Sequence, residues 1–259
     1  MSERIEDLLH RRTDLSTFLV HFTRDSDDGA TTSQDNLLKI LKAGRLEARN
    51  SYGMAARLAG KFPEVAKTQQ TVCFTETPLE HAWMMCRQIT DRSFRFNGYG
   101  LAFTKSFARR EGANPVWYLD ISQRGRDWLT GPVNRLVEAA EALATGDTGA
   151  TDGSALAAAD ILQLTPFIEQ MGPTKGSRKE FWWEREWRHV GRFTFDPDDI
   201  VVAFAPENQQ AKLQAKLRKA TDDDYSGLTF VDVNWGLERI IGALANVDAA
   251  DLGPFPRPQ

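Results

Sequence analysis

The chain has 259 residues, 41% of them hydrophobic and 26% charged, a globular balance with enough apolar material for a large core. Its formal net charge of −4 argues against broad, non-specific affinity for nucleic acid, which comes from phosphate neutralisation by Lys and Arg. No apolar run approaches the roughly 20 residues that cross a bilayer, and the charged start MSERIEDLLHRR is unlike a secretion signal, so one cytoplasmic domain over residues 1–259 is expected.

Residues 3–12 predict a short amphipathic helix, and TFLVHFT (17–23) predicts a first strand that ends at His21. Ser33 is expected to cap a helix with the apolar stripe Leu37, Leu38, Ile40 and Leu41, stopped by Gly44 in the left-handed conformation. Gly53, Gly60 and Pro63 make 45–69 a loop with a helical turn. TVCFT (71–75) predicts a second strand, and Pro78 opens a helix over PLEHAWMMCRQIT. GYGLAFT (98–104) and NPVWYLD (114–120) read as neighbouring strands of one sheet, joined by a helical KSFARREG. VNRLVEAAEALA and ILQLTPFIEQM predict helices on either side of a flexible loop at 144–159. Further strands are expected at 186–195, 199–205 and 228–233, the last two each followed by a helix, with a disordered tail at 252–259.

Few residues suggest chemistry. Cys73 and Cys86 lie in apolar surroundings and read as small buried hydrophobes, and their C-x7-H-x4-C arrangement with His81 matches no common zinc site. No metal is expected. Gly98 and Gly100 flank Tyr99 without the spacing of a dinucleotide fingerprint, and Trp182, Trp183 and Trp187 read as core or cleft wall. Three polar strings lie at strand ends: His21-Phe22-Thr23, followed by Asn36; Phe74-Thr75-Glu76-Thr77; and Glu184-Arg185-Glu186. In an extended chain Glu184 and Glu186 share a face. A fixed carboxylate there suits cleavage of the nicotinamide–ribose bond of NAD, because it stabilises the cation that develops on the ribose. Arg188 directly downstream offers the bland reading, in which Glu184 or Glu186 is a salt-bridge partner.

The strings LVHFTR and NLLKILKAGRL resemble the opening of DarT-like ADP-ribosyltransferases. VCFTETPLEHA, YGLAFTKSFARREGANPVWYL and WWEREWRHVGRF resemble the AbiGi-type abortive-infection family of bacterial defence proteins, and together the matches span residues 18–192. The resemblance implies an α+β fold on a split, bent β-sheet with peripheral helices, as in ADP-ribosyltransferases, with NAD as co-substrate. It implies that His21, Thr23, Asn36, Thr75 and Tyr99 hold NAD, that Glu186 or Glu184 is the catalytic acid, and that one of Arg45, Arg49 and Arg57 completes the site, Arg57 being the candidate taken. The acceptor would be a nucleic-acid base or a protein side chain, in a toxin or anti-phage effector. The same resemblance implies an alternative: a non-catalytic antitoxin or immunity partner that binds a toxin or phage component.

Overall fold

The computed structural model describes residues 14–89, 92, 94–122, 128–147, 149–174, 177–221 and 225–247. The helix expected at 3–12 and the tail expected at 252–259 lie outside the described residues. In chain order the first elements are β1 (Phe18–Phe22), α1 (Ser33–Ala43), β2 (Arg45–Leu46), β3 (Asn50–Ser51), α2 (Ala56–Ala59), α3 (Pro63–Gln69) and β4 (Gln70–Thr75). A 3-10 helix (Leu79–Cys86) leads to β5 (Gly100–Thr104), α4 (Lys105–Arg110), β6 (Asn114–Pro115), β7 (Trp117–Asp120), α5 (Thr130–Thr145), α6 (Gly153–Ala158) and α7 (Asp160–Leu164). The remainder is β8 (Ile168–Thr174), β9 (Ser177–Lys179), β10 (Glu186–Val190), β11 (Phe193–Thr194), β12 (Ile200–Phe204), α8 (Glu207–Ala220), β13 (Phe230–Val231) and α9 (Leu237–Leu244). This is a mixed arrangement of helices with parallel and antiparallel strands. No helix among the described residues is long and apolar enough to cross a membrane.

The chain divides into two compact units, the first made of Met1–Arg45, Thr75–Ala108 and Phe195–Gln259, the second of Leu46–Phe74 and Arg109–Thr194. In the first, β1 and β5 pair antiparallel from Phe18↔Thr104 to Phe22↔Gly100. β12 takes the other edge of β5 in antiparallel fashion, and β13 lies parallel to β12. Leu19 and Val20 point to opposite faces of β1 and both are buried, so both faces of this strand are covered. Leu37 and Leu41 of α1 and Leu213 and Leu217 of α8 are buried as well, and the two helices pack together. The cap of α1 is Thr32 and not Ser33. Thr32 accepts from the Asp35 N–H while the Asp35 carboxylate accepts from the Thr32 N–H, a reciprocal box that satisfies two otherwise orphan donors. Ser33 is already helical, and its N–H goes to Asp25. Gly44 ends the helix at φ 59° as expected. The helix opened by Pro78 is of the 3-10 kind; at about three residues per turn its Leu79, Ala82 and Met85 fall on one buried side.

In the second unit β3 pairs with β4, β10 with β6, and β8 lies parallel to β7 and antiparallel to β9. Several expectations are corrected here. Residues 98–104 and 114–120 are not neighbours, because both edges of β5 are taken by β1 and β12 while β7 pairs with β8. ILQLTPFIEQM is not one helix: α7 ends at Leu164, Pro166 sits in a 3-10 turn, and the chain continues as β8, since proline removes a helical donor and disfavours helix at the residue before it. The loop expected at 144–159 contains α6, capped by Asp152 through the N–H groups of Ser154 and Ala155 and anchored by the buried Leu156. The strand expected at 186–195 is broken between β10 and β11 at Gly191, whose φ of 76° is outside strand geometry. Ala55, Leu58, Val65, Val137, Leu156 and Leu162 form the helical core of this unit.

Candidate functional site

The five residues singled out for cofactor binding lie in the first unit. His21 is half-buried on β1, opposite Leu101. Thr23 follows the strand with its hydroxyl 2.9 Å from the Ser33 carbonyl and 3.2 Å from the Tyr99 carbonyl, and its N–H donates to the latter at 2.8 Å. The Asn36 side-chain amide donates to the Arg24 carbonyl at 2.8 Å. Tyr99 is buried, and burial followed by the nearby Asp25 charge pushes its phenol up. These contacts gather His21, Thr23, Asn36 and Tyr99 around the C-terminal end of β1. Thr75 is buried on the neighbouring strand, opposite Val20 and 2.7 Å from the Thr77 hydroxyl. Directly opposed residues share a face and successive residues alternate, so the register puts Thr75 on the Val20 side of the sheet and His21 on the other.

The acid and arginine candidates lie in the second unit. Arg57, in α2, pairs with Glu141 at 3.8 Å and is 54% exposed, an arrangement that contributes little. Glu184 and Glu186 do not share a strand face: Glu184 closes a 3-10 turn (Phe181–Glu184), Arg185 is left-handed at φ 48°, and β10 starts only at Glu186. The face that Glu186 shares is with Arg188, two residues on.

Around that pair is a polar network buried in the second unit. Arg188, only 2% exposed, donates from Nε to Glu186 Oε1 at 2.8 Å and from Nη2 to Glu186 Oε2 at 2.9 Å, a two-pronged grip on one carboxylate. Its Nη2 also reaches Glu169 Oε2 at 3.1 Å, Nη1 donates to the Pro166 carbonyl at 2.6 Å, and the Tyr52 ring lies 5.0 Å from the guanidinium carbon. Lys179 Nζ sits 2.7 Å from Glu169 Oε1, and the Tyr118 hydroxyl donates to Glu186 Oε2 at 2.8 Å. Two cations thus face two carboxylates. Burial opposes the charge on Arg188, but Glu186 outweighs it and holds the guanidinium more firmly protonated than usual. Burial likewise works against ionised Glu169, and Arg188 with Lys179 overcomes it, so this carboxyl titrates below its ordinary value. Tyr118 is pushed up by burial and by Glu186 and stays a neutral donor. Burial and then the Glu186 charge push the Cys73 thiol up as well, leaving it a poor nucleophile.

Of this network the sequence pointed to Glu186, with Arg188 as a possible salt-bridge partner. It missed Glu169, Tyr118 and Tyr52, which come from separate elements with no local motif to join them. Among the described residues no group of three or more His, Cys, Asp or Glu side chains could hold a metal ion.

The fold and the network define a mixed α/β protein with a charge-balanced polar cluster inside its second unit. A family described as "Putative abortive phage resistance protein AbiGi, antitoxin" matches residues 41–225, and the chain belongs to that family. No curated protein and no solved structure matches the chain.

Proposed function

We propose that the chain is a non-catalytic antitoxin of abortive phage resistance, a partner protein that binds a toxin or phage component. The observation that carries this reading is the state of Glu186. An acid that stabilises a ribose cation must present a carboxylate oxygen to the substrate. Both oxygens of Glu186 are instead held by Arg188, with Tyr118 adding a second bond to one of them, and the side chain is 13% exposed. Its role here is counter-ion to a buried arginine. The antitoxin description of the family supports the same reading.

The competing reading is the NAD-dependent transferase implied by the DarT-like resemblance, with His21, Thr75 and Glu186 around the nicotinamide ribose. Incubating cell extract with the protein and labelled NAD, then separating protein, DNA and RNA, tests the two. The antitoxin reading expects no label in any fraction and no growth arrest when the chain is expressed alone. Label transfer that Glu186→Gln abolishes in a folded protein would establish the transferase instead.

A further inference from the structure

We infer that Asn97 is a site of spontaneous covalent modification: it deamidates through attack by the Gly98 backbone nitrogen, and the product breaks the contact that joins the loop before β5 to the start of α1. Asn97 is the one asparagine of the sequence followed by glycine. Glycine has no side chain to shield its nitrogen, and it readily takes the φ of 78° that Gly98 adopts. Asn97 lies outside helix and strand and is exposed, so water and base reach its amide. The Gly98 N–H faces the Cys86 sulfur, a weak acceptor in place of the carbonyl that would hold it in a strand ladder.

The reaction needs only water as co-reactant. Once deprotonated, the Gly98 nitrogen attacks Asn97 Cγ; the new C–N bond closes a five-membered imide, and the side-chain nitrogen leaves as ammonia. Water then opens either carbonyl of the ring. One opening gives aspartate, the other isoaspartate, in which the main chain runs through Cβ.

Either product removes a specific contact. Asn97 Nδ2 donates to Asp25 Oδ2 at 3.0 Å, and Asp25 Oδ1 accepts from the Ser33 N–H in the first turn of α1 at 2.6 Å. A carboxylate at position 97 replaces the donor, and two carboxylates at this separation repel. The arginines of these loops are already engaged: Arg24 with Asp27, Arg92 with the Met85 and Arg87 carbonyls, and Arg95 with the Cys86 carbonyl. Thr23 still holds the Tyr99 carbonyl through its N–H and its hydroxyl, so β5 keeps its register while the Asp25 link opens.

The test incubates the folded full chain at neutral and at mildly alkaline pH, then maps its peptides by mass and resolves aspartate from isoaspartate by chromatography. Conversion is expected at Asn97 ahead of every other asparagine, faster at the higher pH because the attacking nitrogen must lose its proton. It should vanish in Asn97→Gln, whose longer side chain cannot close a five-membered ring. Asn50, followed by Ser51 and held in the β3–β4 ladder, is the internal control. Asn97→Asp made directly should melt below wild type, by an amount that added salt reduces. Adding Asp25→Asn to it should restore the midpoint, since the pair again has one amide and one acid. Asn97 that converts in urea but not in the folded chain, conversion of Asn50 first, a rate indifferent to pH, or an Asn97→Asp protein that melts like wild type would each overturn the inference.

Discussion

A guanidinium taken out of water costs several kcal/mol unless its donors are met. Arg188 meets the condition with four hydrogen bonds to Glu186, Glu169 and the Pro166 carbonyl. Removing it strands two carboxylates, so Arg188→Ala should lose about 3–5 kcal/mol of unfolding free energy in a urea titration. Arg188→Lys should also be clearly destabilised, because an ammonium cannot reproduce the fork. A loss under about 1 kcal/mol for the alanine variant, the range of exposed pairs, would mean that the network is not holding the second unit together. At the start of α1, Thr32→Ala should cost about 1 kcal/mol, whereas Ser33→Ala should leave the cap intact; the two urea midpoints separate the capping residue from its neighbour. What was legible at this scale was that Glu184 or Glu186 could pair with Arg188; that the partner is Glu186 and that the pair is buried was not, because Arg185 takes Glu184 off the strand. Glu169 was hidden inside an expected helix, and Tyr118 inside a strand placed in the wrong sheet.

Elements were legible where the chain's own pattern decides them. FLVHF, TVCFT, GLAFT and IVVAF are rich in β-branched and aromatic residues and form β1, β4, β5 and β12. Misreadings fell where a distant partner or one backbone angle decides. The apolar spacing of LQLTPFIEQM suits a helix, but β7 offers Ile168–Met171 a parallel strand to pair with, which no local window shows. Period-two logic failed at Glu184 because Arg185 leaves the extended region. Gly53 gives a test at this scale. Its φ is 86° and an added Cβ would strike the Thr165 backbone, while Met54 donates to the Thr165 carbonyl at 3.3 Å. Gly53→Ala should therefore cost more than about 1 kcal/mol from conformation alone, with the clash added. A thermal melt matching wild type would show that 53–54 and 165 do not meet in this way.

For the molecule as a whole, the network sets an acid limit. Glu169 titrates below its ordinary value of 4.5, so the unfolded chain binds its proton first as pH falls. The stability that Glu169 contributes is fully present above about 4.5 and is lost as pH drops through the lower, folded-state value. Urea midpoints should accordingly fall below pH 4.5, and less steeply in Glu169→Gln, which has no carboxyl there to titrate. A pH profile identical in the two proteins would deny Glu169 this role. The family, and the overall mixture of helices and strands, were readable from strings spread along the chain. The task of Glu186 was not, since an acid next to a strand has the same sequence pattern whether it meets a substrate or a buried arginine.

Calorimetric melting of wild type and Glu186→Gln, each with and without millimolar NAD, weighs those two tasks most directly. A ligand at a hundred times its dissociation constant stabilises the native state by about 2.7 kcal/mol. A buried charge-assisted hydrogen-bond pair that loses one charge costs about 1–3 kcal/mol. With Glu186 as a structural counter-ion, NAD leaves the wild-type midpoint where it was and Glu186→Gln melts several degrees lower under both conditions. A midpoint that rises with NAD, together with a Glu186→Gln protein that melts like wild type, would contradict that assignment and return Glu186 to catalysis.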